Sequence, residues 1–198
     1  MDLDKHYCSN RILREDVSKS FNGEVVIEKK TIEFPQKGIV CIFGPSGVGK
    51  TTVLNLIAGL TYPDEGEVKT TEDISMVFQE DRLVPWLSAI ENISLVLKDR
   101  ELGLKMAKEY MNDMQLTDIK NKRPAELSGG MKRRVAIARA LAYDKRIMLM
   151  DEPFKGLEEE LKNQIMDQII KLSEEKLIVI VTHVKAEIEY LNADIVYL

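Results

Sequence analysis

Short runs of apolar residues alternate with stretches of helical periodicity along most of the chain. That alternation predicts a parallel sheet with crossover helices. Residues 39–43, 74–78, 147–150 and 177–181 read as strands. Their apolar residues follow one another without polar alternation, the pattern of strands covered on both faces. The segment 23–34 is β-rich and more alternating, and reads as part of an antiparallel side sheet. A helix is expected directly after Gly49. Another is expected over 157–172, where Leu157, Leu161, Ile165, Ile169 and Leu172 share one face. Between residues 85 and 142 helical patterns dominate, and Ser88-Ala89-Ile90-Glu91 has the form of a capping box. The chain reads as one α/β domain, residues 1–198, with a helical subdomain, residues 85–142, inserted in it.

Composition narrows the classes. With 198 residues, 44% of them hydrophobic, the chain can bury one sizeable core. It contains no Pro/Gly/Ser linker, repeat or low-complexity tract. The formal net charge is -5, from 28 basic and 33 acidic side chains. No nucleic-acid partner held by bulk charge is expected. Cys8 and Cys41 offer neither a disulfide framework nor metal-ligand spacing, and Cys41 sits in an apolar run as a small core residue, so a reducing cytosol is expected. The opening MDLDKHYC lacks the basic and apolar regions of a signal peptide. The longest apolar runs have strand length, against about 20 residues for a bilayer span. Any work at a membrane must pass through a partner.

The chemistry starts at Gly44-Pro45-Ser46-Gly47-Val48-Gly49-Lys50-Thr51-Thr52, a G-x-x-x-x-G-K-[ST] pattern between a predicted strand and a predicted helix. Its glycines let successive amides turn inward as an anion nest, and the helix start adds a partial positive charge. Lys50 should reach the β- and γ-phosphates of a nucleotide, and Thr51 should place its hydroxyl on Mg²⁺. Asp151 and Glu152 close the strand 147–150. Asp151 suits the Mg²⁺ shell, and Glu152 can orient and polarise an attacking water. Gln79 and His183 end two other strands in the same way. His183 reads either as a γ-phosphate or water-positioning group or as a surface histidine.

A second bare helix start stands at Ser128-Gly129-Gly130, with Lys132, Arg133 and Arg134 behind it. Ser128 is a good N-cap, the glycines leave amides uncovered, and the basic residues make the first turns electropositive. This too reads as an anion site. One nucleotide is already cradled by its own loop, so the second start is most useful to a second copy of the chain. Two copies packed head to tail would close each other's sites.

These elements, in this order and spacing, resemble the nucleotide-binding subunit of ABC transporters over nearly the whole chain. The resemblance implies ATP and Mg²⁺ as cofactors, and two ATP molecules sandwiched between the loop 44–51 of one copy and the Leu127–Gly130 element of the other. It implies Gln79 as a link, and a further Mg²⁺ contact, between the γ-phosphate site and a helical subdomain that docks on a transmembrane permease. It places the protein in the cytoplasm, peripheral on the inner membrane face. Phe21 falls where an aromatic stacks on adenine, and reads either so or as a core residue. The segment from Val77 to Leu87 is similar to importer ATPases for nitrate, aliphatic sulfonates and taurine, and Trp86 reads as a permease contact or as core.

The sequence departs from the family at Met131, at Lys155-Gly156-Leu157-Glu158 and at Val184. The alternatives are a soluble ABC-type ATPase driving a non-transport machine, and a P-loop GTPase or small-molecule kinase. No long heptad insertion or second cassette supports the former. In Asn121-Lys122-Arg123-Pro124, proline occupies the place where a guanine-reading loop needs aspartate.

Overall fold

A computed structural model describes residues 10–69 and 73–198, so the opening MDLDKHYC and Cys8 lie outside the described residues. Five strands form an entirely parallel sheet in the order β5 (Ile74–Val77), β6 (Ile147–Asp151), β7 (Leu177–Val181), β3 (Gly38–Phe43), β8 (Asp194–Tyr197). A second sheet is antiparallel, with β1 (Asn10–Phe21) between β2 (Glu24–Phe34) and β4 (Glu65–Val68). The six α-helices among the described residues are α1 (Lys50–Ile57), α2 (Ala89–Ser94), α3 (Arg100–Asp113), α4 (Gly129–Ala142), α5 (Glu159–Ser173) and α6 (Lys185–Leu191).

Period-2 alternation in the strands explains the layering. Ile39, Cys41, Ile178 and Ile180 face a cluster built with α2 to α6. Val40, Ile42, Val179 and Val181 face the other way, against Val53, Leu54, Leu56 and Ile57 of α1 and against Val17, Ile27, Ile32 and Phe34 of the antiparallel sheet. β7 is buried at every position, which is why its sequence is an unbroken apolar run. Cys41 is a core residue as expected, and burial, with Glu187 nearby, pushes its thiol up to about 12. A thiol held that far from ionisation is inert at neutral pH.

Two of the boundaries that differ from the sequence reading have a local cause. The helix expected to start at Leu157 starts at Glu159, because Leu157 closes a turn by donating its N–H to the Phe154 carbonyl at 3.2 Å. β5 stops at Val77, because the Phe78 carbonyl is taken by a side chain, Arg133, at 2.6 Å. The capping box at Ser88 is present, with the Glu91 carboxylate accepting the Ser88 N–H at 2.8 Å. Between β5 and β6 lie α2, α3, α4 and two single 3₁₀ turns.

Candidate nucleotide site

Because the sheet is parallel, β3, β5, β6 and β7 all point their carboxyl ends at one rim, where ligands of open α/β sheets bind. A cleft of about 620 Å³ opens there, lined by Gly44, Pro45, Ser46, Lys50, Gln79, Glu152 and His183, together with Phe43 and Lys155. Four strand ends therefore converge on the loop that the sequence marks.

The loop keeps its shape through glycine. Gly49 caps α1 with φ 101, a left-handed backbone. A Cβ there would stand 2.7 Å from Ile27 Cδ1 and 3.0 Å from the Val26 carbonyl oxygen. Any side chain is thus opposed twice, by backbone strain and by β2. No acidic residue occupies the first turn of α1 and no side chain caps it, so its free amides and dipole face the cleft. Lys50 Nζ donates to the carbonyls of Gly44 at 2.9 Å and Pro45 at 2.6 Å. An ammonium has three donors, so one remains for a phosphate oxygen.

Thr51 Oγ1 donates to Asp151 Oδ2 at 2.7 Å. Burial raises the Asp151 pKa above the usual carboxylate range, and Glu152 raises it further. The Thr51 hydrogen bond and the charges of Arg133 and Lys50 oppose the rise without cancelling it. Its charged form therefore costs stability at pH values above the raised pKa, and that cost shrinks as pH falls through it and is gone below the unfolded value. Asp151→Asn keeps an oxygen acceptor for Thr51 and deletes the charge. Its melting temperature at neutral pH is expected to exceed that of the parent, and the gain to shrink on acidification as the parent's Asp151 takes up its proton. Thermal melts across pH read this directly; a destabilised variant would contradict the assigned cost.

Glu152 follows with φ 46, left-handed for a residue with a Cβ, a conformation that costs on the order of 1–3 kcal/mol. Its N–H donates to the Val181 carbonyl at 2.9 Å. Its carboxylate lies 3.2 Å from His183 Nδ1, and its other oxygen 3.6 Å from Lys155 Nζ. The Glu152 side chain is 18% exposed and that of His183 60%. A half-buried acid held between an imidazole and an ammonium at a strand end is well placed to hold a water.

The remaining sequence-marked residues fall elsewhere. Gly47, Val48 and Thr52 complete the loop and first helical turn around the lining residues. Phe21 is 46% exposed at the end of β1, with Lys19 Nζ 5.4 Å from its ring centroid; it is not a core residue, and it does not line the cleft. Trp86 is 71% exposed, which removes the core alternative. Ser128, Gly129 and Gly130 line no part of the cleft either. Ser128 caps α4, its hydroxyl accepting the Met131 N–H at 3.3 Å, and a Cβ on Gly130 would meet the Gly156 carbonyl at 3.1 Å.

The basic residues of α4 require a correction. Arg133 and Arg134 bring their charge to the first turns of α4, but they commit donors to backbone carbonyls of this chain. Arg133 is 5% exposed and spends its donors on the Phe78 and Gln79 carbonyls. Arg134 donates to the Met114 carbonyl at 2.9 Å and to those of Gln115 and Gly130. Both lie inward or along the helix because α4 buries Val135, Ile137, Ala138 and Leu141. Lys132, the third basic residue, is partly exposed, so this start still offers an anion its amides, Ser128 and one ammonium. Lys155 of the cleft was noted in the sequence only as a departure; its position three residues after Glu152 was the signal for the ion pair.

A parallel sheet with a glycine-cradled phosphate loop after β3, and two carboxylates at the end of β6 on the far side of β7, defines a P-loop ATPase. Residues 27–155 match the family model described as ABC transporter, and the chain belongs to that family. It is 37% identical to an aliphatic sulfonates import ATP-binding protein, SsuB, of Bacillus cereus, over 91% of this chain and 78% of that protein. It is 35% identical to a nitrate import ATP-binding protein, NrtD, of Synechococcus elongatus, over 80% of this chain and 64% of that one. The ATP-binding cassette MJ0796, solved as a dimer in a post-hydrolysis state bound to ADP and Pi, superposes with a TM-score of 0.84 at 33% identity, covering 94% of this chain and 93% of that one.

Proposed function

We propose that the chain is the ATP-hydrolysing subunit of an importer for a small anion of the sulfonate, taurine or nitrate kind, working as a head-to-tail dimer beneath a transmembrane permease. The observation that carries the dimer is the split of the site: Lys50, Gln79, Glu152 and His183 line one cleft, and Ser128–Gly130 line no part of it. A second copy supplies the missing amides. The relatives named for sulfonate and nitrate import support the anion class. No helix among the described residues is long and apolar enough to cross a membrane. In this reading the permease is a separate chain, with this one on its cytoplasmic side.

Thr51 and Asp151 fit Mg²⁺. Both offer hard oxygen, and no cluster of three or more His, Cys, Asp or Glu suited to a metal occurs among the described residues. That suits a cation held largely by phosphate and water. When bound, Mg²⁺ supplies charge neutralisation between the phosphates. The amides of 44–51 and Lys50 bind the phosphates, and Gln79 reaches the γ-phosphate from the side of the helices. Glu152 accepts hydrogen bonds from a water and draws on its proton as the oxygen attacks the γ-phosphorus. His183, donating from Nδ1, keeps that carboxylate in place. The bond to the bridging oxygen breaks and ADP leaves with it. Phe21, exposed at the end of β1, offers a π-face for adenine, and Trp86 offers a surface for the permease.

The test is ATP hydrolysis per molecule against protein concentration, with and without Mg²⁺. The activity is expected to need the metal and to rise with concentration as dimers form. In vesicles carrying the permease that co-purifies with the chain, alkanesulfonate, taurine or nitrate should stimulate it. Full activity in a lone monomer would end the paired-site reading, and stimulation by none of these anions would end the anion assignment.

A further inference from the structure

Helix α4 holds the segment that carries Gln79. Arg133 Nη1 donates to the Phe78 carbonyl at 2.6 Å and Nη2 to the Gln79 carbonyl at 2.8 Å, while Nη1 stands 3.3 Å from the Asp81 carboxylate. Less than two turns further on, Arg139 donates to the Arg82 carbonyl at 2.9 Å and the Asp81 carbonyl at 3.0 Å. Within segment 78–82, only the Glu80 carbonyl is left out of these contacts. Arg82 itself is left-handed, φ 45, with its guanidinium 4.0 Å from the Phe78 ring centroid. A guanidinium is a planar, rigid fork, so one that binds two successive carbonyls fixes their relative orientation. A buried cation that lost those partners would be left uncompensated, which is strongly unfavourable. The segment therefore moves with α4 or not at all.

We propose that Arg133 and Arg139 are positioning residues that fasten the Gln79 segment to the helix start at Ser128, and thereby couple the two nucleotide sites of the dimer. The inference rests on the head-to-tail reading above. Gln79 belongs to the chain's own cleft, and Ser128–Gly130 to the cleft of the partner. A γ-phosphate that draws Gln79 inward pulls on the carbonyls of 78–82. The two guanidiniums pass that displacement to α4, and α4 presents Ser128 to the other nucleotide. The element that both nucleotides bias is α4 with its clamped segment, moving as one body against the parallel sheet. Such coupling is read as cooperativity in ATP.

Arg133→Lys is the informative variant. It keeps the buried charge beside Asp81 and forfeits the fork, since an ammonium lacks the two parallel donors held rigidly in one plane by a guanidinium. The measurements are the ATP dependence of hydrolysis at a concentration where the parent is dimeric, and the affinity of the dilute chain for a fluorescent ATP analogue. The parent is expected to respond sigmoidally. Arg133→Lys is expected to respond with a Hill coefficient near unity and a half-saturating ATP concentration raised by about 2- to 30-fold, with analogue affinity unchanged. A purely structural role would move analogue affinity and melting temperature, and leave the Hill coefficient where it was. Arg139→Lys tests the second half of the clamp in the same way and should also lower the coefficient. A cooperative parent with equally cooperative variants overturns the clamp alone. A parent without cooperativity at any concentration removes the paired-site reading, and the coupling with it.

Discussion

Glu152→Gln is expected to bind ATP as the parent does and to turn it over about 10²- to 10⁴-fold more slowly, the usual loss when a general base goes. The substitution preserves size and leaves an oxygen to accept from His183, whose Nδ1 lies 3.2 Å away in the parent. It removes the negative charge that draws on the proton of the attacking water. It also releases Lys155, 3.6 Å from the other carboxylate oxygen. Binding groups are untouched, so the nucleotide persists and the closed dimer that it favours should accumulate by mass action. Single-turnover phosphate release measures the first effect and sedimentation with Mg²⁺ and ATP the second. Release at the parental rate would take Glu152 out of its role.

Two dead chains should restore one another. Gly129→Asp puts a carboxylate at the α4 start, where its charge opposes the partner's phosphates. Alone, it is expected to be inactive, as is Glu152→Gln. In a mixed dimer one site carries both defects, and the other joins an intact cleft to an intact helix start. Random pairing at equal amounts should recover roughly a quarter of the parental activity, since half the dimers are mixed and half their sites are whole. Co-expression with separable tags and an ATPase assay on the unfractionated mixture measures it, and the purified doubly tagged dimers alone should reach roughly half. No recovery above the two separate chains would mean that the site is not shared.

Continuous apolar runs made β3 and β7 legible, because burial on both faces leaves no room for polar residues. β4 and β8 were not legible: their residues are exposed or half-buried, and ladder pairing rather than burial makes them strands. β1 is charged and slips register at several points against β2, so no clean period survives. The phosphate loop was readable from residue types because a left-handed cap pressed against β2 admits only glycine at Gly49. The use of Arg133 was not, since three successive basic residues look alike in one dimension. Its spacing to buried Ile137 and Ala140 placed it on the inward stripe, and that was the available signal. Trp86 sits in no periodic segment, so only the folded chain could show it facing solvent.

The parallel sheet gives the molecule a front and a back. At the back rim, where the strands begin, backbone bonds lace neighbouring segments: the Gly38 N–H to the Lys176 carbonyl, Ile147 to Asp73, and Leu177 to Arg146. Turns there meet no nucleotide, and changes in them should register in unfolding alone. Fluorophores, affinity tags or a surface tether therefore belong on that side, the turn at 174–176 above all, where they leave the catalytic rim open.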